Sequence, residues 1–297
     1  MNRFSIVFLV IAAACVLSAH AQSSMIEEEW VEADSINIAR MIAVIRTSPK
    51  DVLTLDVFAR KDFEDLGYGY SMHETVTEGG YVATRLQVIL KDGRPISFAA
   101  TPRMPYGYKT LYDRYRAFYE PLFKFDTHGT PQTFYWNYRA VALPFGDSSY
   151  ALRFQKQVFQ NPLREKLELL MSPYSGTEYG CGTRSGNSIP SNRELFEDVM
   201  PAMSYLLATC LLRSINPATR LTAIEYLQRH HSEKFLRKPM QRDVKKIYRS
   251  HPKAKTVDGF ERRFEDSEAL VKRFISEGCQ TSPPSDEVLV TSGDARE

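Results

Sequence analysis

Residues 82–100, VATRLQVILKDGRPISFAA, decide the fold class of the chain. From 82 to 90, the side chains at even positions would lie on one face of a sheet and those at odd positions on the other. This is the two-residue period of a strand. Asp92-Gly93 follows, and this dipeptide tolerates the positive φ values of a tight two-residue turn. Residues 96–100 then return as a second strand. The stretch therefore predicts an antiparallel β-hairpin.

The rest of the first half predicts helices and further strands around this hairpin. Apolar residues at helical spacing predict helices over 24–46, ended by Ser48-Pro49, and over 109–123. Strand patterns cover 52–58, 133–143 and 149–159. Hairpins flanked by helices indicate an antiparallel sheet packed on helices, and hence an α+β domain over 24–165.

The second half predicts a helical subdomain over 193–279, after a loop at 166–192 that is rich in Gly, Ser, Thr and Pro. A capping box of Ser191 with Glu194 predicts the start of the first helix, and Asn216-Pro217, an N-cap with a following proline, predicts the start of the second. A third, shorter helix is predicted at 240–248. A last helix is predicted to be capped by Asp258 with Glu261 and to end at Gly278. The polar tail at 280–297 is predicted to be disordered.

Composition and the N-terminus predict a secreted globular protein. The 297 residues are 43% hydrophobic and 25% charged, which excludes a disordered or collagen-like chain. Residues 1–21 predict a signal peptide, because the apolar run of about eleven residues is shorter than the roughly 20 of a membrane span. Cleavage before Gln22, with no later spanning segment, indicates an extracytoplasmic location. Lipid anchoring through Cys15 is the minor alternative.

The mature chain then holds three cysteines, Cys181, Cys210 and Cys279. An oxidising compartment favours one disulfide and one buried thiol. Cys210 lies in the most apolar stretch, whereas Cys181 and Cys279 lie in polar, Gly-flanked segments. We therefore predict a Cys181–Cys279 disulfide, with Cys210–Cys279 as the main alternative.

Two surface features predict a binding role. Basic residues crowd the helical half, and Lys245, Lys246 and Arg249 are the candidate contacts for an anionic partner, although solvated helix faces often carry such charges. Aromatic residues crowd 106–138, where Tyr106, Tyr108, Tyr135 and Trp136 are candidates for an interface, with core packing as the alternative. A net charge of +2 and the lack of a nucleic-acid motif argue against DNA or RNA.

Catalytic and cofactor motifs give little support to an enzyme. Cys181 is the strongest nucleophile candidate, with His230 or His231 as its base, but no helix pattern begins directly after it. The histidines have no zinc-site spacing, and no nucleotide-binding fingerprint occurs, so neither a metal nor a cofactor is predicted. Asp62 with Glu64 and Asp65 could serve as the carboxylate pair of a glycosidase, but an exposed acidic loop gives the same pattern.

The function indicated by these features is that of a secreted or periplasmic non-enzymatic protein. It would bind another envelope macromolecule, either a protein or an anionic polymer, as an inhibitor, immunity-type or accessory factor. The alternative is a cell-envelope hydrolase, acting on peptidoglycan or peptide, that uses the loop around Cys181.

Overall fold

The computed structural model describes residues 26–59, 63–136, 153–181, 190–258 and 261–278. The fold is mixed α+β, with an N-terminal helix, a five-stranded antiparallel sheet and then mainly helices, as the sequence predicts. The chain divides into two compact units. The first contains the residues up to 59 together with 75–86 and 100–134, and the second contains 60–74, 87–99 and the residues from 135 onward.

The first unit begins with helix α1 (Glu28–Thr47), which ends before Pro49 as predicted. Two short 3-10 helices follow, Pro49–Thr54 and Asp56–Phe58, so the predicted strand at 52–58 is wrong. Val52, Leu55 and Phe58 are buried at a spacing of three residues. Val52 lies in the first 3-10 helix, Phe58 lies in the second, and Leu55 lies in the extended bend between them, so the buried positions do not follow the two-residue period of a strand.

The sheet is a meander in which each strand pairs with the next along the chain. Its strands are β1 (Glu64–Gly67), β2 (Tyr70–Glu78), β3 (Ala83–Lys91), β4 (Arg94–Arg103) and β5 (Phe134–Trp136). The predicted hairpin is confirmed as β3–β4, with φ values of 50° at Asp92 and 76° at Gly93. Strands β1 and β2 were not predicted, because polar residues interrupt their apolar alternation. Glu64 and Asp65 belong to β1 rather than to a loop.

The later strand predictions have different outcomes. Strand β5 is the start of the predicted strand at 133–143, whose residues from 137 lie outside the described residues. The prediction at 149–159 is wrong where the structure describes it, since Gln155–Phe159 is π-helical. Phe154 and Val158 are both buried, and a separation of four residues places them on one helix face.

Helix α2 (Lys109–Tyr119) confirms the predicted helix in the middle of the sheet region. Its buried residues are Leu111, Tyr115 and Tyr119, which lie four residues apart along one face. This face packs in the first unit, where the Tyr119 hydroxyl lies 2.9 Å from the hydroxyl of Thr84.

The second unit is dominated by helices, which are α3 (Arg164–Met171), α4 (Ser191–Val199), α5 (Tyr205–Leu211), α6 (Pro217–His230), α7 (Ser232–Phe235), α8 (Lys238–Ser250) and α9 (Ser267–Glu277). Asn216 caps α6 through its side chain, which accepts a hydrogen bond from the Ala218 amide, as predicted. The capping box at Ser191 is wrong: Pro190 occupies the N-cap position, and no side chain caps α4.

The last helix begins later than the sequence predicts. Strands β6 (Lys253–Asp258) and β7 (Glu261–Asp266) form a two-stranded antiparallel hairpin, so Asp258 and Glu261 do not cap a helix. Asp266 is the N-cap of α9 instead, and it accepts from the Ala269 amide. Ala254 and Thr256 are buried at the two-residue period of a strand, which the surrounding lysines obscure. Gly278, with φ of 76°, ends the helix as predicted.

The largest core cluster lies in the second unit around α6. Leu221, Ile224 and Leu227 of α6 pack there with Cys210, which is a fully buried thiol. Among the described residues, no helix is both long and apolar enough to cross a membrane.

Candidate functional site

Helix α8 presents a strongly basic surface, and its buried residues explain its orientation. Met240, Val244 and Ile247 are buried at helical spacing, so one face of α8 is fixed against the core of the second unit. Pro239 stands in the first turn, where its missing N–H is not needed. The opposite face of α8 must therefore point outward.

Five cationic side chains occupy that outward side, and we call them the basic face. They are Lys238, Arg242, Lys245, Lys246 and Arg249, and all are exposed. At about 100° of rotation per residue, they fall within a stripe about 100° wide, opposite the buried residues. Together with Leu236 and Gln241 they line a shallow groove of about 530 Å³.

No acidic side chain that the structure describes pairs with a cation of the basic face. Asp243 is the only acidic residue of α8, and it pairs at 3.4 Å with Arg213, which lies between α5 and α6. Elsewhere, pairs such as Arg164–Glu168 and Lys272–Glu268 join helix neighbours four residues apart. Within the described residues, none of the five cations of the basic face takes part in an ion pair, so their positive potential is available to an external anion.

The start of the groove is formed by the turn between α7 and α8. The side chain of Gln241 donates a hydrogen bond of 2.8 Å to the backbone carbonyl of Phe235, which holds this turn in place. Phe235 is buried, whereas the next residue, Leu236, is 72% exposed. An apolar side chain thus stands at the N-terminal end of a cationic groove.

The structure brings together the predicted binding residues Lys245, Lys246 and Arg249, and it adds Lys238 and Arg242 to the same face. Leu236 and Gln241 were missed by the sequence analysis. The signal for Leu236 was weak: a single leucine two residues before a lysine-proline pair gives no helical period.

The aromatic candidates lie in both compact units. Tyr106 and Tyr108 belong to the first unit and are 59% and 65% exposed. In the second unit, Tyr135 is 40% exposed, and its ring centroid lies 5.6 Å from that of Tyr174. A binding role for these tyrosines stays a prediction.

Trp136 has a packing role in addition to its predicted place in an interface. Its indole ring stacks on Phe98 with centroids 5.9 Å apart, and its carbonyl oxygen accepts a hydrogen bond of 2.8 Å from Ser97. The side chain is half-buried. Its contribution to binding stays a prediction, but its contact with Phe98 links any substitution to the stability of the sheet.

The segment that leads to Cys181 is held by structural contacts. The Tyr179 hydroxyl, two residues before Cys181, donates to Glu225 at 3.0 Å, and Arg193 donates to the same carboxylate at 2.7 Å. Burial raises the pKa of Tyr179. Glu225 thus joins Tyr179 and Arg193 in one buried cluster, which anchors the segment before Cys181 to α6.

The two adjacent histidines belong to an aromatic cluster. His230 lies 4.6 Å from the ring of Tyr226, and His231 lies 5.5 Å from the ring of Tyr205. Burial, together with the charge of Lys234, lowers the pKa of His231. In the described ranges, no group of three or more His, Cys, Asp or Glu side chains is placed to hold a metal ion.

The predicted disulfide partner of Cys181 is Cys279, which lies outside the described residues. The pairing therefore stays a prediction. The buried position of Cys210 agrees with the argument that selected it as the remaining thiol.

Comparison of the chain with protein-family models, with curated proteins and with solved structures finds no match.

Proposed function

We propose that the protein is a secreted or periplasmic, non-enzymatic protein that binds an anionic macromolecule of the cell envelope through the basic face. The observation that carries this proposal is the alignment of five exposed cations on one side of α8 without an ion pair in the described part of the chain. The expected signal peptide at 1–21 supports the compartment.

The physical advantage of this arrangement is long-range capture. Clustered charges of one sign raise the local concentration of an oppositely charged partner and accelerate association. Because the partner's counterions are released when the cations bind, affinity should fall steeply with salt. An exposed cation contributes little to folding, so substitutions there test binding without unfolding the protein.

The experiment measures co-sedimentation of the purified mature protein with washed cell envelopes at low and high salt. The charge reversal Lys245→Glu with Lys246→Glu should abolish binding at low salt, and the wild type should be released by high salt. The matched control is Lys50→Glu with Lys124→Glu, which changes the net charge equally at exposed sites of the first unit. Equal binding of the wild type and the α8 variant would contradict the proposal, as would loss of binding in the control.

A further inference from the structure

We infer that the occupant of the basic face is a linear polyanion that lies along α8, with a negative charge in each repeat. The inference rests on the proposed function and specifies its ligand. It excludes the planar surface of an anionic lipid bilayer as the main partner.

The spacing of the cations is the first observation. With a rise of about 1.5 Å per residue, Lys238, Arg242, Lys245 and Arg249 follow each other at intervals of about 4.5 to 6 Å along the helix axis. They deviate by only tens of degrees from a common line, so they form one row about 16 Å long. A chain with regularly spaced phosphate groups can contact successive members of such a row.

The width of the basic face is the second observation. On one side, Asp243 is occupied by Arg213 and ends the positive surface. On the far side of the helix, Met240, Val244 and Ile247 are buried and offer no charge. Among the residues of α8, exposed positive charge therefore follows the helix axis and covers only one side of the helix. A bilayer presents headgroups in two dimensions and is attracted in proportion to the number of cations that reach its plane.

The shape of the surface is the third observation. The five cations line a groove together with Leu236 and Gln241. A flexible chain can lie in this shallow groove along the helix and contact successive cations. The exposed Leu236 at the N-terminal end can pack against an apolar segment between two charges of the polymer.

The test uses synthetic abasic oligodeoxynucleotides, which carry one phosphodiester per repeat and no base. Oligomers with one, two, four and eight phosphates are titrated against the wild-type mature protein by calorimetry, and vesicles that contain an anionic phospholipid are assayed in parallel. We expect affinity to rise at least tenfold per added pair of phosphates up to about four, because the row of cations holds about that many at its axial spacing. Beyond four phosphates, affinity should rise only in proportion to the number of overlapping sites.

Salt dependence provides a second readout of the same contacts. For a single-stranded polyanion, the slope of log K against log salt is roughly −0.7 per neutralised phosphate, so removing two contacts should make it less negative by about 1.4. Lys245→Gln with Lys246→Gln should show this change, and Lys50→Gln with Lys124→Gln should not.

The outcomes separate the inference from the proposed function. Binding to vesicles but not to oligomers, or affinity that does not depend on oligomer length, would overturn the linear polyanion and leave the basic face as a binding site. If neither probe binds and charge reversal on α8 leaves envelope binding unchanged, both the inference and the proposed function are wrong.

Discussion

The hydroxyl of Tyr115 donates a hydrogen bond of 2.5 Å to the buried carboxylate of Asp34. The same carboxylate accepts hydrogen bonds from the backbone amides of Gly80, at 2.6 Å, and Tyr81, at 2.8 Å. Burial, followed by the hydrogen bond to Asp34, raises the pKa of Tyr115. One anion thus connects α1, the turn between β2 and β3, and α2 within the first unit.

Replacing Asp34 with Asn should destabilise the protein by about 2 to 4 kcal/mol. The amide keeps the shape but loses the charge, and its NH₂ group cannot accept from backbone N–H donors. Tyr115→Phe should cost less, about 1 to 2 kcal/mol, because the carboxylate keeps its two close amide donors. Urea unfolding followed by circular dichroism measures both.

The exposed Glu32 of the same helix supplies the control. Glu32→Gln removes one negative charge without a buried partner, so stability should change by less than about 0.5 kcal/mol. An Asp34→Asn variant as stable as Glu32→Gln would show that the buried hydrogen bonds contribute nothing net.

The sequence predicts the helix that carries Asp34 but not the hydrogen bonds that its carboxylate accepts. The helical period that identifies α1 also places position 34 among the buried positions, next to Val31 and Ile38. Nothing in that period shows that the amides of Gly80 and Tyr81, more than forty residues away, supply the hydrogen bonds. Local periodicity identifies elements, whereas long-range pairing of a buried charge depends on how those elements meet.

Reduction of the mature protein should lower its thermal midpoint if Cys181 and Cys279 are linked. Closing a loop of nearly a hundred residues contributes about 4.7 kcal/mol in the chain-entropy account. Replacement of either cysteine should reproduce the effect of reduction. Cys210→Ala should lower the stability only by the small amount due to the cavity that it leaves. Non-reducing peptide mapping identifies the linked peptides, and a linked peptide that contains Cys210 would contradict the pairing.

Substitutions in the aromatic candidates should separate surface tyrosines from a packed tryptophan. Tyr106→Ala with Tyr108→Ala should change stability by less than about 0.5 kcal/mol, because both rings are mostly exposed. Trp136→Ala should destabilise by about 2 kcal/mol, since its ring stacks on Phe98. Thermal unfolding of the variants measures this. If Trp136→Ala is as stable as the wild type, the ring contributes nothing to packing stability and only the interface role remains.

The candidate site shows a similar division between what sequence patterns reveal and what they hide. Lys245, Lys246 and Arg249 are predictable because charge density on a short helix is a local property. Arg242 also lies within the predicted helix at 240–248, whereas Lys238 joins the face only because the helix begins two residues earlier than predicted. The hairpin β6–β7 was missed because charged residues mask a strand whose buried positions are filled by Ala254 and Thr256.

Acidification should destabilise the protein through His251, which is buried at the end of α8. Burial, followed by the charge of Arg220, lowers its pKa from 6.5 to about 4, although Asp65 acts in the opposite direction. Since the unfolded state binds a proton at higher pH than the folded state, the contribution is complete above pH 6.5 and is lost as pH falls from 6.5 towards 4. The loss should reach about 3 kcal/mol. Urea unfolding of the wild type and of His251→Gln across this range isolates the effect, because other titrating groups cancel in the difference. A parallel pH dependence of the two proteins, or an imidazole that titrates near 6.5 by NMR in the folded wild type, would contradict this assignment.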